Sequence, residues 1–172
     1  MKTELKAKFI QQILSKKKDS EGFTLIELLV VIIIIGILSA IALPSFLNQA
    51  AKGKQSEAKT YIGSVNRAQQ SHRMENAVFT TDFNVLQIGI PTLTVNYQYA
   101  IPTANAATSL VTAISQDVSA LKSFSGGVVI LANGLTSTAT CQTTTPSSTA
   151  PTITLTGGTT VAACSSGGEN MK

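Results

Sequence analysis

The sequence predicts an α+β chain, with one long N-terminal helix whose C-terminal half carries an antiparallel sheet of about four strands. Three observations predict it. Residues 23–43 are apolar on every face, and Glu27 is their only charge. Residues 47–68 then place Leu47, Ala50, Ala51, Lys54, Ala58, Tyr61, Ile62, Val65 and Ala68 at three- and four-residue steps, mostly an apolar stripe. From residue 95 onward, short alternating segments are separated by Pro, Gly-Gly and Asn-Gly.

The apolar run comes first. At about 1.5 Å per residue, a helix from Phe23 to Leu43 is roughly 30 Å long, the thickness of a bilayer's hydrocarbon. Glu27 costs up to about 2.5–3.5 kcal/mol in such a setting, less because it lies near the edge. The preceding residues 1–21 hold six lysines (Lys2, Lys6, Lys8, Lys16, Lys17, Lys18) against Glu4, Asp19 and Glu21. By the positive-inside bias this flank stays in the cytoplasm and the C-terminal bulk crosses once, to the outside.

The lysine-rich flank, Gly22 before Phe23, the run Thr24-Leu25-Ile26-Glu27-Leu28-Leu29-Val30-Val31, and then Gly36 and Pro44 together resemble the type IV pilin family. The stretch from Leu47 to Lys59 is similar to pilins of photosynthetic bacteria. The resemblance implies the pilin fold and a four-part organisation: a leader at 1–22, a membrane or filament-core helix at 23–44, an amphipathic half at 45–76 and a head at 77–172. It implies that a prepilin peptidase cuts between Gly22 and Phe23 and methylates the new Phe23 amine. It further implies that Glu27, fifth after the cut, meets the Phe23 amine of a neighbouring subunit, and that the helix between Gly36 and Pro44 loses regular hydrogen bonding on packing into a filament. The implied partners are copies of the same chain, the peptidase, an inner-membrane platform with its ATPases, and the bilayer before assembly. The place implied is the inner membrane first and an extracellular pilus afterwards.

Other readings of the apolar run compete. Ala40-Ile41-Ala42 fits an ordinary signal-peptidase site, although the charged stretch is long and the core carries an acid. A plain membrane anchor keeps Met1. A buried core helix needs an unusually large surround.

Composition narrows the function. The formal charge is +4, but residues 1–22 supply +3 of it, so the basic balance argues poorly for a nucleic-acid surface, and no direct nucleic-acid binding is expected. The only cysteines, Cys141 and Cys164, lie in the exported part and predict a disulfide rather than two buried thiols. Its closed loop of about 24 residues is worth roughly 3–3.5 kcal/mol in a chain-entropy treatment.

Beyond Pro44, which cannot donate a backbone hydrogen bond and should bend or locally break the helix, the amphipathic half runs to about Asn76. Residues 77–94 read as irregular connection. Residues 95–101 alternate as a strand that Pro102 ends. Residues 103–116 read as loop, with a short helix around 117–123 from the spacing of Leu110, Ile114, Val118 and Leu121. Asn133-Gly134 predicts a two-residue hairpin turn with both residues at positive φ. Residues 152–156 form a further strand, Gly157-Gly158 turns, and the tail from Ser165 is loose except for the cysteine bridge.

No catalytic constellation emerges. His72, the one histidine, reads as surface or packing. Gly126-Gly127 reads as a turn, not a phosphate cradle. Asp82 and Asp117 are isolated, a poor basis for calcium. The Thr/Ser-rich loop 143–149 reads as solvated. The chain is therefore read as a non-enzyme without cofactor or metal. Its expected function is polymerisation as a pilus subunit serving motility, attachment or DNA uptake. The alternatives are a type II secretion pseudopilin or minor pilin, and a membrane-anchored binding domain.

Overall fold

The computed structural model describes residues 7–12, 22–156, 158, 161–165 and 167–171. The leader prediction falls largely outside them, as do Gly157 and Thr159 of the second Gly-Gly turn. The chain divides into two compact units, Met1–Phe46 and Leu47–Lys172. Helix α1, Leu25–Glu75, contributes to both.

In the first unit, residues 7–12 are helical and residues 22–24 are not. α1 starts at Leu25, two residues after the predicted start, because Thr24 takes the cap position. Gly36 and Pro44 both lie inside α1, and the helix is continuous through them. Pro44 removes one N–H from the ladder. Helical turns on either side propagate cooperatively and carry the chain across.

The second unit is the head. Its main sheet has the order β1-β2-β3-β4-β7, all neighbours antiparallel. The strands are β1 Tyr97–Ala104, β2 Thr108–Ser115, β3 Phe124–Ile130, β4 Thr136–Thr143 and β7 Gly168–Asn170. A separate two-stranded sheet pairs β5 Ile153–Thr154 with β6 Ala163–Cys164. The main sheet thus has five strands rather than about four. Relative to the sequence reading it gains β2, from residues read as loop, and β7, from the tail predicted to be loose, while the predicted strand at 152–156 pairs in the separate small sheet.

The part of α1 in this unit buries Ala58, Ile62, Val65, Asn66 and Gln69. The first three join Tyr97, Tyr99, Ile101, Val111, Ala113, Leu121 and Phe124 in one apolar core. Full burial of a side chain such as Ile62 contributes about 1.5–3 kcal/mol. The predicted stripe is right from Ala58 to Ala68 but starts too early: Leu47, Ala50 and Lys54 are exposed. Gln69 is wholly buried yet satisfied, clipping the connection after α1 through Thr80 N–H and C=O.

Several strands depart from the sequence reading. β1 does not stop at Pro102. It is an edge strand, its register against β2 shifts between Ala100 and Thr103, and Pro102 sits within that irregularity, where a missing N–H is tolerated. Residues 108–115 are a strand rather than a loop, and they bury Ser109, Val111, Ala113 and Ser115 in strict alternation. The expected short helix shrinks to a turn closed by Leu121 N–H on Asp117 C=O at 3.0 Å.

The Asn133-Gly134 hairpin forms between β3 and β4, but only Gly134 has positive φ, at 80°. Gly134 N–H reaches Leu131 C=O at 2.9 Å, and Leu131 N–H reaches Leu135 C=O at 2.8 Å. This is the longer connection in which an ordinary turn is followed by one left-handed glycine.

Gly126-Gly127 is not a turn. Both glycines lie inside β3, which is covered on both faces. A Cβ on Gly126 would strike Ile62 and Asn66 of α1, and one on Gly127 would come within 2.6 Å of Leu155. Side chains are absent here because the helix and the β5 segment both approach this strand closely.

Candidate functional site

The residues singled out at the head of the apolar helix lie together. Gly22 is exposed, and Phe23 is 86 % exposed. Thr24 then caps α1. Its hydroxyl donates to Glu27 Oε2 at 2.7 Å and its N–H donates to the same oxygen at 2.8 Å. Glu27 N–H donates back to Thr24 Oγ1 at 3.3 Å. This is a capping box, in which threonine and the glutamate three residues on satisfy otherwise orphaned donors of the first turn. A carboxylate there also meets the positive end of the helix dipole.

Glu27 therefore has a partner within its own chain, which the sequence reading overlooked. The signal was present as Thr24-x-x-Glu27. The carboxylate is held in the first turn, against the Thr24 N–H and hydroxyl. The Phe23 nitrogen is a peptide amide, so it offers no charge to Glu27.

Below the cap, every large apolar side chain from Phe23 to Phe46 is at least 43 % exposed. α1 is long and apolar enough to cross a membrane, by length and composition. A contiguous apolar surface of this extent marks a site for a membrane or for other protein.

In the head, Cys141 and Cys164 form the expected disulfide, with Cα atoms 5.7 Å apart. It joins β4 to β6. The tail is held further by β7, which pairs with β4, and by the Lys122–Glu169 ion pair at 3.0 Å. Glu169 also accepts from Gln142 Nε2 at 2.8 Å.

Glu57 is a second residue the sequence reading passed over. Its carboxylate, half-buried on α1, accepts from Asn96 Nδ2 at 3.0 Å and from Tyr99 O–H at 3.2 Å. Burial pushes its pKa up, but the hydrogen bonds from Asn96, Thr94 and Tyr99 outweigh that and hold it below the ordinary value. Burial, and then the Glu57 charge, push the Tyr97 and Tyr99 phenols well above theirs. No pattern in the sequence marks residues 57 and 96 as neighbours.

His72 lines a cleft of about 390 Å³ with Ser71, Glu75, Leu86 and Gln87, and its Nδ1 is buried without a partner. Asp82 and Asp117 each brace their own turns, accepting from Asn84 and from Ser119 respectively. Those bonds from Ser119 hold the exposed Asp117 carboxyl below its ordinary pKa. Among the described residues no group of three or more His, Cys, Asp or Glu is placed to hold a metal ion. In the Thr/Ser-rich loop, Thr143 is buried, and Ser147 C=O is pinned by the hydroxyls of Ser115 and Ser123.

An exposed apolar helix opened by a capping box, with a disulfide-tied antiparallel head, defines a class of proteins whose helix suits cover by lipid or by other protein. The comparisons with known proteins narrow the class. Residues 55–165 match the family described as type IV pilin-like G and H, and residues 17–43 match the prokaryotic N-terminal methylation motif. The chain belongs to the type IV pilin-like family.

It is 56 % identical over 52 residues to the type IV major pilin protein PilA of Myxococcus xanthus, covering 30 % of this chain and 24 % of that one. It is 33 % identical over 118 residues to the fimbrial protein EcpC of Eikenella corrodens, covering 67 % of this chain and 75 % of that one. It is 34 % identical over 68 residues to the type II secretion system core protein G of Vibrio cholerae, covering 40 % of this chain and 47 % of that one. The chain thus spans about a quarter of the Myxococcus protein and about half of the Vibrio protein.

Proposed function

We propose that this chain is a structural subunit of a type IV pilus, made as a precursor and used by polymerising. A prepilin peptidase cuts between Gly22 and Phe23 and methylates the Phe23 amine. Before assembly, the apolar helix crosses the inner membrane once with its N-terminus in the cytoplasm. It then exchanges lipid for the helices of other copies, with an inner-membrane platform and ATPases driving the transfer. The Phe23 amine meets Glu27 of a neighbour, which neutralises both charges in the apolar core and sets axial register. The stretch between Gly36 and Pro44, with its weak helix formers, is where hydrogen bonding loosens on packing.

The observation that carries this reading is the wholly uncovered apolar surface of residues 23–46. Nothing in the head repays leaving it in water. The capping box holds the Glu27 carboxylate at the N-terminal end of the helix, one residue beyond the Phe23 nitrogen it is proposed to serve. The test is the N-terminal sequence of protein sheared from cells. Methylated Phe23 is the expected first residue, whereas Met1 or Leu43 overturns the proposal.

The similarity to the Vibrio core protein G supports a second reading, a pseudopilin of a secretion machine. The disulfide-tied C-terminal segment leans towards the pilus subunit. Long surface filaments containing this chain, seen by immuno-electron microscopy, decide for the pilus. Their absence with the assembly machinery intact decides against it.

A further inference from the structure

We propose that Asn133 is a self-modifying site, converting in the folded protein to aspartate or isoaspartate. It is exposed on the turn between β3 and β4. Its Oδ1 accepts the Leu135 N–H at 3.0 Å. That bond folds the carboxamide back over the Asn133–Gly134 peptide, whose nitrogen is the attacking atom. Gly134 has no side chain to obstruct the approach, and a Cβ built there would meet nothing within 4 Å. The Asn133 side-chain nitrogen, the leaving group, makes no hydrogen bond among the described residues.

The chemistry needs only water. Gly134 N bonds to Asn133 Cγ and gives its proton to solvent, and the carboxamide nitrogen departs as ammonia. Water then opens the five-membered imide. Opening at one carbonyl restores an ordinary backbone with an aspartate side chain. Opening at the other routes the backbone through the side-chain carbon. In sum, carboxamide and water become carboxylate and ammonia.

One contact opposes the reaction: Gly134 N–H donates to Leu131 C=O at 2.9 Å. It slows loss of the proton without blocking the carboxamide.

Asn105 is the internal control. Its Oδ1 accepts from Ala107 N and Thr108 N, both at 2.8 Å, in the same folded-back arrangement. There the next residue is Ala106, whose Cβ crowds the approach. Asn105 Nδ2 is also tied to Thr108 Oγ1 at 2.9 Å, so the leaving nitrogen is held. Of the eight asparagines, Asn133 alone precedes a glycine.

The consequence is electrostatic. Residues 23–172 hold seven basic and six acidic residues, a formal +1, and one conversion takes them to 0. The new charge sits on an exposed hairpin, so the age of the protein is written on its surface.

The inference stands apart from the filament reading, and so does its test. The purified full chain, disulfide intact, is incubated in neutral buffer and mapped by mass spectrometry of its peptides. The expected result is the carboxylate form accumulating at Asn133 well ahead of Asn105. Asn133→Gln abolishes the charge change. Ala106→Gly, where circular dichroism shows the fold retained, brings conversion to Asn105. Conversion at Asn133 no faster than at Asn105 in the folded wild type overturns the proposal, whatever the variants do.

Discussion

Two stretches of one helix behave in opposite ways. Residues 25–46 of α1 have no buried side chain, and the residues that follow in the same helix bury five. The first stretch is the more apolar, so hydrophobicity alone does not decide burial. Partners within the chain do. Ile62 finds Gly126, a position in β3 where the sheet has no side chain, while Ile34 is 51 % exposed. The head is thus stabilised from within, and the apolar stretch is left for lipid or other molecules to cover.

The sharpest way to break that contrast is Glu27→Gln. It removes a charge without changing shape. Filament formation is expected to be lost, while thermal unfolding of the head is unchanged. Filaments of normal yield by electron microscopy would remove the charge pairing from the account.

Next in size is a matched pair of truncations. Ile62→Ala is expected to cost the head about 2–5 kcal/mol, as buried isoleucine truncations do. Ile34→Ala, made on a side chain already 51 % exposed, is expected to leave it unchanged. Urea unfolding in detergent micelles, followed by tyrosine fluorescence, measures both.

Gly126→Ala should act by crowding instead. Its Cβ would come within 2.8 Å of Asn66 Nδ2 and closer still to Ile62. A loss of about 1–3 kcal/mol is expected in the same unfolding assay. Rescue by Ile62→Val in the double variant would identify the clash.

The smallest effect concerns pH. Glu57 has a depressed pKa in the folded head, so its contribution is present above the ordinary value near 4.5 and fades as pH falls through the lower folded value. Glu57→Gln should flatten the acid limb of the stability profile, lowering stability modestly at pH 7 and converging with the wild type at low pH. An unchanged acid limb would show that the bonds from Asn96 and Tyr99 do not favour the charged form.

What could be read in advance follows the same division. The apolar segment was legible because its signal is local: length, composition and one charge suffice. The hairpin at Asn133-Gly134 was legible for a similar reason, although its turn geometry was not. β2 was missed because two of its four inward residues are Ser109 and Ser115, so the buried face does not look apolar. Ser115 is affordable inside because its N–H and hydroxyl reach Ser123 Oγ and Ser147 C=O, partners supplied by other elements. The tail was misread because Gly168-Glu169-Asn170 has no strand-forming residue. Its pairing rests on Cys141, Gln142 and Thr143 opposite, with the ion pair to Lys122.

The site divides likewise. Thr24-x-x-Glu27 is a three-residue spacing on one helix turn, and it was open to reading without a structure. Glu57 with Asn96 and Tyr99 joins residues 39 and 42 positions apart, and no local pattern announces it.

By itself, then, the sequence determined that an apolar helix with one acid leads a β-rich head, since these features follow from residue type and spacing along a single turn or strand. The tertiary structure alone decided that Gly126 is the seat of a helix and Gly127 that of Leu155, that two serines belong to a core face, and that the tail is a strand. Each of those depends on which surface arrives opposite, and a chain carries no local record of what will be brought against it.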